Sequence, residues 1–164
     1  MMRRDHAITG LPKQWIKFWN WYVIFAALIL LIAGMAKSIG IQQSAAFLSK
    51  PNSIITLISN RYLLWGVSSL EIGIGALILS KVLSLSKNIK TIFWLSSQFV
   101  IYRLSLWLVN EPEPCKCFGD VFQWIGVSDD FTRAATIVSL VYLWFPSGFF
   151  LIASKFRNGL MDDL

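Results

Sequence analysis

Four apolar runs, at about 18–36, 62–80, 91–109 and 134–154, constrain this chain more than anything else in it. Each has the roughly 20 residues that a helix needs to cross the hydrocarbon core of a bilayer. Charges bracket them: Lys17 and Lys37, Arg61 and Lys81, Lys90 and Glu111, Arg133 and Lys155. Lipid offers no partner to a peptide N–H or C=O, so each run is expected to be a helix and the whole an all-α bundle of four transmembrane helices. Composition agrees, since 55% of the 164 residues are hydrophobic and only 15% charged, with a mean hydropathy of +0.59. That is too apolar for a soluble domain. The net charge of +6 does not point to nucleic acid, because the Lys and Arg residues flank apolar runs instead of forming a basic stripe. Eight Trp suit a chain with two membrane–water interfaces. Neither an internal repeat nor a break in composition divides the sequence, so a single membrane domain over 1–164 is expected.

Orientation follows from where the positive charges fall. Arg3, Arg4, Lys13 and Lys17 precede the first run, Lys81, Lys87 and Lys90 lie between the second and third, and Lys155 and Arg157 follow the fourth. Those nine share one side. Lys37, Lys50, Arg61, Lys116 and Arg133 fall on the other, and Arg103 lies within a run. Both termini are therefore expected in the cytoplasm, and the two long loops, about 37–61 and 110–133, outside. In a bacterium this is the cytoplasmic membrane, with the loops in the periplasm. Arg3 and Arg4 followed by an apolar run ending in Gly34-Met35-Ala36 resemble a secretory signal, but the run is long for one, and it reads as an uncleaved anchor. The segments 42–49, 53–59 and 121–127 mix apolar and polar residues as short interfacial helices do. Ser128-Asp129-Asp130 supplies cap acceptors and negative charge for the start of the fourth helix.

The two cysteines, Cys115 and Cys117, sit in the outward loop, in Pro114-Cys115-Lys116-Cys117-Phe118-Gly119. The periplasm lets disulfides form and persist. A bridge between residues two apart would span close to the upper Cα–Cα limit, roughly 6.8 Å, and would close too short a loop to stabilise a fold. Strained, exposed disulfides are the labile and oxidising ones. The favoured reading is thiol–disulfide exchange, with Cys115 and Cys117 as the reacting pair. An inert disulfide, free thiols or a bridge to a partner chain are the alternatives. A metal site is not expected, since two thiols lack further ligands and the single histidine, His6, falls on the other side.

Two ionisable residues lie inside the apolar runs. Glu71 is at the middle of the second and Arg103 in the outer half of the third. By helical rise, Glu71 is about 14 Å and Arg103 about 9 Å below the outer boundary. Such residues are costly in lipid and face the bundle interior. Ser68, Glu71 and Gly75 share one helical face, and Lys37 shares another with Gly34 and Ala27. Thr132, Thr136 and Ser139 make a polar stripe on the fourth run. Two readings stand. Glu71, Arg103 and Lys37 line a pocket below the cysteine loop that holds a quinone head or relays protons, or Glu71 and Arg103 form an ion pair that orders the bundle. Pro146 and Gly148 are expected to kink the fourth helix.

Ala33-Gly34-Met35-Ala36-Lys37, Leu70-Glu71-Ile72-Gly73, Arg103 and, most specifically, Cys115-Lys116-Cys117-Phe118-Gly119 ahead of the last span resemble the MauE/DoxX-like membrane proteins. The resemblance covers nearly the whole chain. It implies a four-helix membrane bundle distantly similar to vitamin K epoxide reductase. It also implies a link either to maturation of a disulfide-rich exported subunit, as for MauE, or to quinone-linked oxidation, as for DoxX-type members. Lys116 stands where many relatives carry a small residue. Vitamin K epoxide reductase-like and DsbB-like oxidases relay electrons through a second cysteine pair, which this chain lacks.

The reading that joins these features is a membrane thiol–disulfide redox protein, coupled to quinone, acting on a thioredoxin-fold or exported disulfide-containing partner. The alternative is a non-catalytic accessory subunit of a larger membrane complex. A small transporter using Glu71 and Arg103 is the least favoured, because four spans without an inverted repeat do not suggest one.

Overall fold

A computed structural model describes residues 12–43, 59–108, 126 and 128–162. Residues 44–58 and 109–125, which carry most of the expected interfacial segments 42–49, 53–59 and 121–127 as well as Cys115 and Cys117, lie outside them. Four helices account for nearly all of the described chain: α1 (Lys13–Gln43), α2 (Asn60–Leu79), α3 (Leu85–Leu108) and α4 (Asp129–Asp162). Each expected span lies within one of them, to a residue at the ends of the second and third. The helices run past the apolar stretches because the backbone ladder continues after hydropathy falls. At 31 residues α1 is about 46 Å long, and at 34 residues α4 is about 51 Å. By length and composition α1, α2 and α4 are apolar enough to cross a membrane. α3 is long enough at 24 residues, but Lys87, Lys90, Gln98 and Arg103 interrupt its apolar character.

The helices associate as two antiparallel pairs, α1 with α2 and α3 with α4, joined where α1 meets α3. Lipid supplies no hydrophobic drive for helix pairing, so close approach and hydrogen bonds must do it. The α1–α2 seam does both. Small residues seven apart on α1, Ala27 and Gly34, meet Gly75 and Ser68, seven apart on the antiparallel α2. A Cβ at Gly34 would lie 2.7 Å from Ile72 Cγ1 and 3.0 Å from Ser68 O, and one at Gly75 would lie 2.8 Å from Leu31 Cγ and 3.1 Å from Ala27 O. Only glycine permits that approach. Ser68 Oγ donates to Gly34 O at 2.7 Å, and Ser38 Oγ donates to the same carbonyl at 3.0 Å.

The α3–α4 pair uses aromatic contacts. Phe93 stacks on Trp144, whose Nε1 donates to Ser97 Oγ at 3.1 Å. Pro146 lies inside α4 and removes the N–H that would reach Tyr142 O. The next carbonyl, Leu143 O, accepts from Tyr22 Oη of α1 at 2.8 Å and from Ser147 Oγ at 2.6 Å. Proline is tolerated in a membrane helix when neighbours satisfy the backbone around it in this way. Trp19 and Phe150 meet edge to face at 4.8 Å and help close the core at this end.

The ends of the helices are set locally. Ser128 caps α4 as expected: its Oγ accepts from Phe131 N at 3.4 Å and its carbonyl from Thr132 N at 3.1 Å. α2 and α3 are joined by a short turn in which Lys81 takes a left-handed φ of 55°. The outward faces are apolar: Phe18, Trp21, Phe25 and Ile32 of α1, and Val138, Phe145 and Phe149 of α4, are all exposed.

Candidate functional site

α1 and α3 finish, and α2 and α4 begin, at the same end of the bundle. Because residues 109–128 connect α3 to α4 there, we call it the cysteine-loop end. Toward it, all four helices surround a cavity of about 60 Å³. It is partly open, so a molecule larger than a few waters can extend out of it. One part of the wall is apolar: Ile29, Leu30 and Ala33 of α1, and Leu140 and Leu143 of α4. The rest is polar or aromatic: Lys37 of α1, Glu71 of α2, Phe99, Tyr102 and Arg103 of α3, and Thr136 and Ser139 of α4.

Lys37 and Glu71 are both buried and form an ion pair. The α1–α2 seam explains the pairing. Gly34, one turn before Lys37, lets α2 approach until a Cβ there would lie 3.2 Å from Glu71 Cβ. The Lys37 ammonium also sits over the Phe99 ring, 5.1 Å from its centroid, a favourable geometry for a cation. So Lys37, which brackets an apolar run in the sequence, is inside the bundle and ties α1 to α2 and α3. In water such a pair contributes little. Buried, each charge needs the other, because losing one partner leaves an uncompensated charge at a cost of about 3–5 kcal/mol.

Arg103 reaches the same cavity from α3. It is half-buried, and among the described residues no acceptor takes a hydrogen bond from its buried Nη1. Thr136 Oγ1 donates to Thr132 O at 2.8 Å, so its lone pairs are left to accept from whatever fills the cavity.

The structure thus brings together three of the five candidate residues, Lys37, Glu71 and Arg103. Cys115 and Cys117 lie outside the described residues, but chain connectivity ties them to this end. Cys115 is seven residues beyond the last residue of α3, a reach of at most about 24 Å. Two of the three stripe residues expected on the fourth span, Thr136 and Ser139, line the cavity. Sequence reasoning passed over Phe99 and Tyr102. Phe99 is four residues before Arg103, hence on its face, and that spacing was the signal available.

Comparison with known proteins adds the family. No curated protein and no solved structure matches the chain significantly. The profile of the family described as methylamine utilisation protein MauE matches residues 13–153. That stretch spans α1, α2, α3 and all but the last nine residues of α4, and holds Lys37, Glu71, Arg103, Cys115 and Cys117. A match over so much of a helical chain with membrane-spanning segments leads to one conclusion: the chain is a multi-pass membrane protein of the MauE family.

Proposed function

We propose that the protein is a thiol–disulfide redox protein of the bacterial cytoplasmic membrane, with both termini inside and Cys115 and Cys117 on an outward loop. In the thiol form, one cysteine attacks a disulfide; in the disulfide form, a partner thiolate attacks the pair, one cysteine leaves as a thiolate, and the partner's second thiol resolves the mixed disulfide, so that the partner leaves as a disulfide and Cys115 and Cys117 as thiols. Net oxidation of a partner dithiol releases two electrons and two protons, which require an acceptor. With no second cysteine pair in the chain, the acceptor must meet Cys115 and Cys117 directly or through a separate thiol protein.

The observation that carries this reading is the coincidence of ends. A mostly apolar cavity that Lys37, Glu71 and Arg103 also line occurs at the end to which the cysteine segment is tethered. Its residues fit a quinone head, which when bound would supply the two-electron acceptor. Arg103 Nη1 is a buried donor with no hydrogen-bond acceptor among the described residues, and an acceptor oxygen would satisfy it. Lys37, held in place by Glu71 and Phe99, provides positive charge beside it, and Leu30, Leu140 and Leu143 suit the hydrocarbon part of such a molecule. Glu71 positions Lys37 and offers a carboxylate for proton exchange. The partner is a thioredoxin-fold or exported disulfide-containing protein.

The test is Cys115→Ser in the host membrane, following disulfide formation in exported proteins. Accumulation of reduced clients is expected. Unchanged client oxidation would sink the redox reading and leave the accessory-subunit alternative, which predicts co-purification with a larger complex in mild detergent and no thiol dependence.

A further inference from the structure

We infer that the cavity is built for a ligand bearing an anionic oxygen on its head, and that Arg103 is the residue that selects it. The inference rests on the proposal that the cavity binds a lipid-soluble ring, and it narrows the class of that ring. Among the described residues, three acidic or basic side chains line the cavity: Lys37, Glu71 and Arg103. Lys37 and Glu71 are paired and buried, and the Lys37 ammonium further lies over the Phe99 ring. Their charges offset each other across the α1–α2 seam. Among the described residues, the half-buried Arg103 is therefore the lining residue whose positive charge is not offset, in a setting where charge–charge attraction is less screened than in water.

The second observation is geometric. Arg103 Nη1 is buried and finds no hydrogen-bond acceptor among the described residues. Buried donors are almost always satisfied, so one left over beside a cavity calls for a group to satisfy it. A guanidinium presents paired donors in a planar fork that matches an oxyanion better than a lone carbonyl. The apolar part of the lining, with Leu30, Leu140 and Leu143, offers contact and no charge. A ligand with an ionised hydroxyl at one end and a hydrocarbon body at the other matches both parts. A neutral ring of the same shape satisfies the apolar part and leaves the charge of Arg103 uncompensated.

The experiment uses the full chain in detergent, without reductant, and two fully substituted rings that do not add to thiols. One is tetramethylbenzoquinone, which is neutral; the other is its dihydroxy-dimethyl analogue, anionic at neutral pH. Binding is measured by isothermal titration calorimetry against a detergent blank. The anionic ring is expected to bind at least about tenfold tighter, consistent with one added charge-assisted hydrogen bond. Arg103→Gln should weaken both rings but the anionic one more, so that the preference is lost, and Arg103→Lys should keep part of it. Circular dichroism melts check that both variants fold. Equal affinities in the native protein, or a preference that survives Arg103→Gln in a folded variant, would overturn the inference while leaving quinone binding standing. If neither ring binds, both this inference and the quinone assignment fall, and the thiol-exchange reading is judged separately by Cys115→Ser.

Discussion

The Lys37–Glu71 pair gives the sharpest quantitative expectation. Lys37→Met keeps most of the side-chain volume against Phe99 but removes the ammonium, so the Glu71 carboxylate stays buried without it. Glu71→Leu does the reverse. The two side chains are only 5% and 3% exposed, so water cannot compensate either loss. Each single change is expected to cost about 3–5 kcal/mol. Lys37→Met also forfeits the contact with the Phe99 ring, worth about 0.5–2 kcal/mol. The double change removes both charges and puts two apolar side chains of similar size at a helix seam. Replacing a buried pair by packed apolar groups is often close to neutral, so the double variant should cost no more than about 2 kcal/mol. The coupling energy is then at least about 4 kcal/mol, the sum of the two single losses less the double one. Reversible unfolding in mixed micelles, followed by circular dichroism, measures all three. Single costs below about 1 kcal/mol that simply add in the double variant would refute the reasoning, because the charges would then be solvated or irrelevant to the seam.

Three further outcomes follow from the helix contacts. Gly34→Ala and Gly75→Ala should each destabilise by about 1–3 kcal/mol, since their new Cβ atoms would meet backbone carbonyls at 3.0–3.1 Å. Gly73→Ala on the same helix, where a Cβ meets nothing within 4 Å, should be neutral or stabilise by up to about 1 kcal/mol in the same melts. Tyr22→Phe removes one of the hydroxyls bonded to Leu143 O beside Pro146 and should cost about 1 kcal/mol, read as a lower melting temperature.

The helix positions were legible because hydropathy and membrane thickness leave little freedom. The interior faces were legible too: Ser68, Glu71 and Gly75 on α2, and Ala27, Gly34 and Lys37 on α1, are all buried as their spacing requires. Less legible was the partner of each charge. The ion pair that the sequence suggested, as one of two readings, joined Glu71 to Arg103, whereas Lys37 read as the end of a span and a pocket residue with no assigned partner. Its role depends on how closely α1 and α2 approach at Gly34, which is a tertiary fact that spacing on one helix does not encode. The helix ends were missed for a different reason: hydrogen-bond ladders do not stop where apolarity does, so α1 continues through Lys37 to Gln43. α3 shows the limit of hydropathy in the other direction. The polar residues that make it a poor span by composition include Arg103, which lines the cavity.

The central claim is that Cys115 and Cys117 form a redox pair on the outward side of the membrane. Thiol labelling of intact cells with a membrane-impermeant maleimide, before and after an impermeant reductant, tests it most directly. The account predicts little labelling at first and two labels per chain after reduction, without lysis. Labelling that appears only after lysis would put the loop on the other side, and full labelling without reductant would mean that the thiols rest unpaired; either result contradicts it.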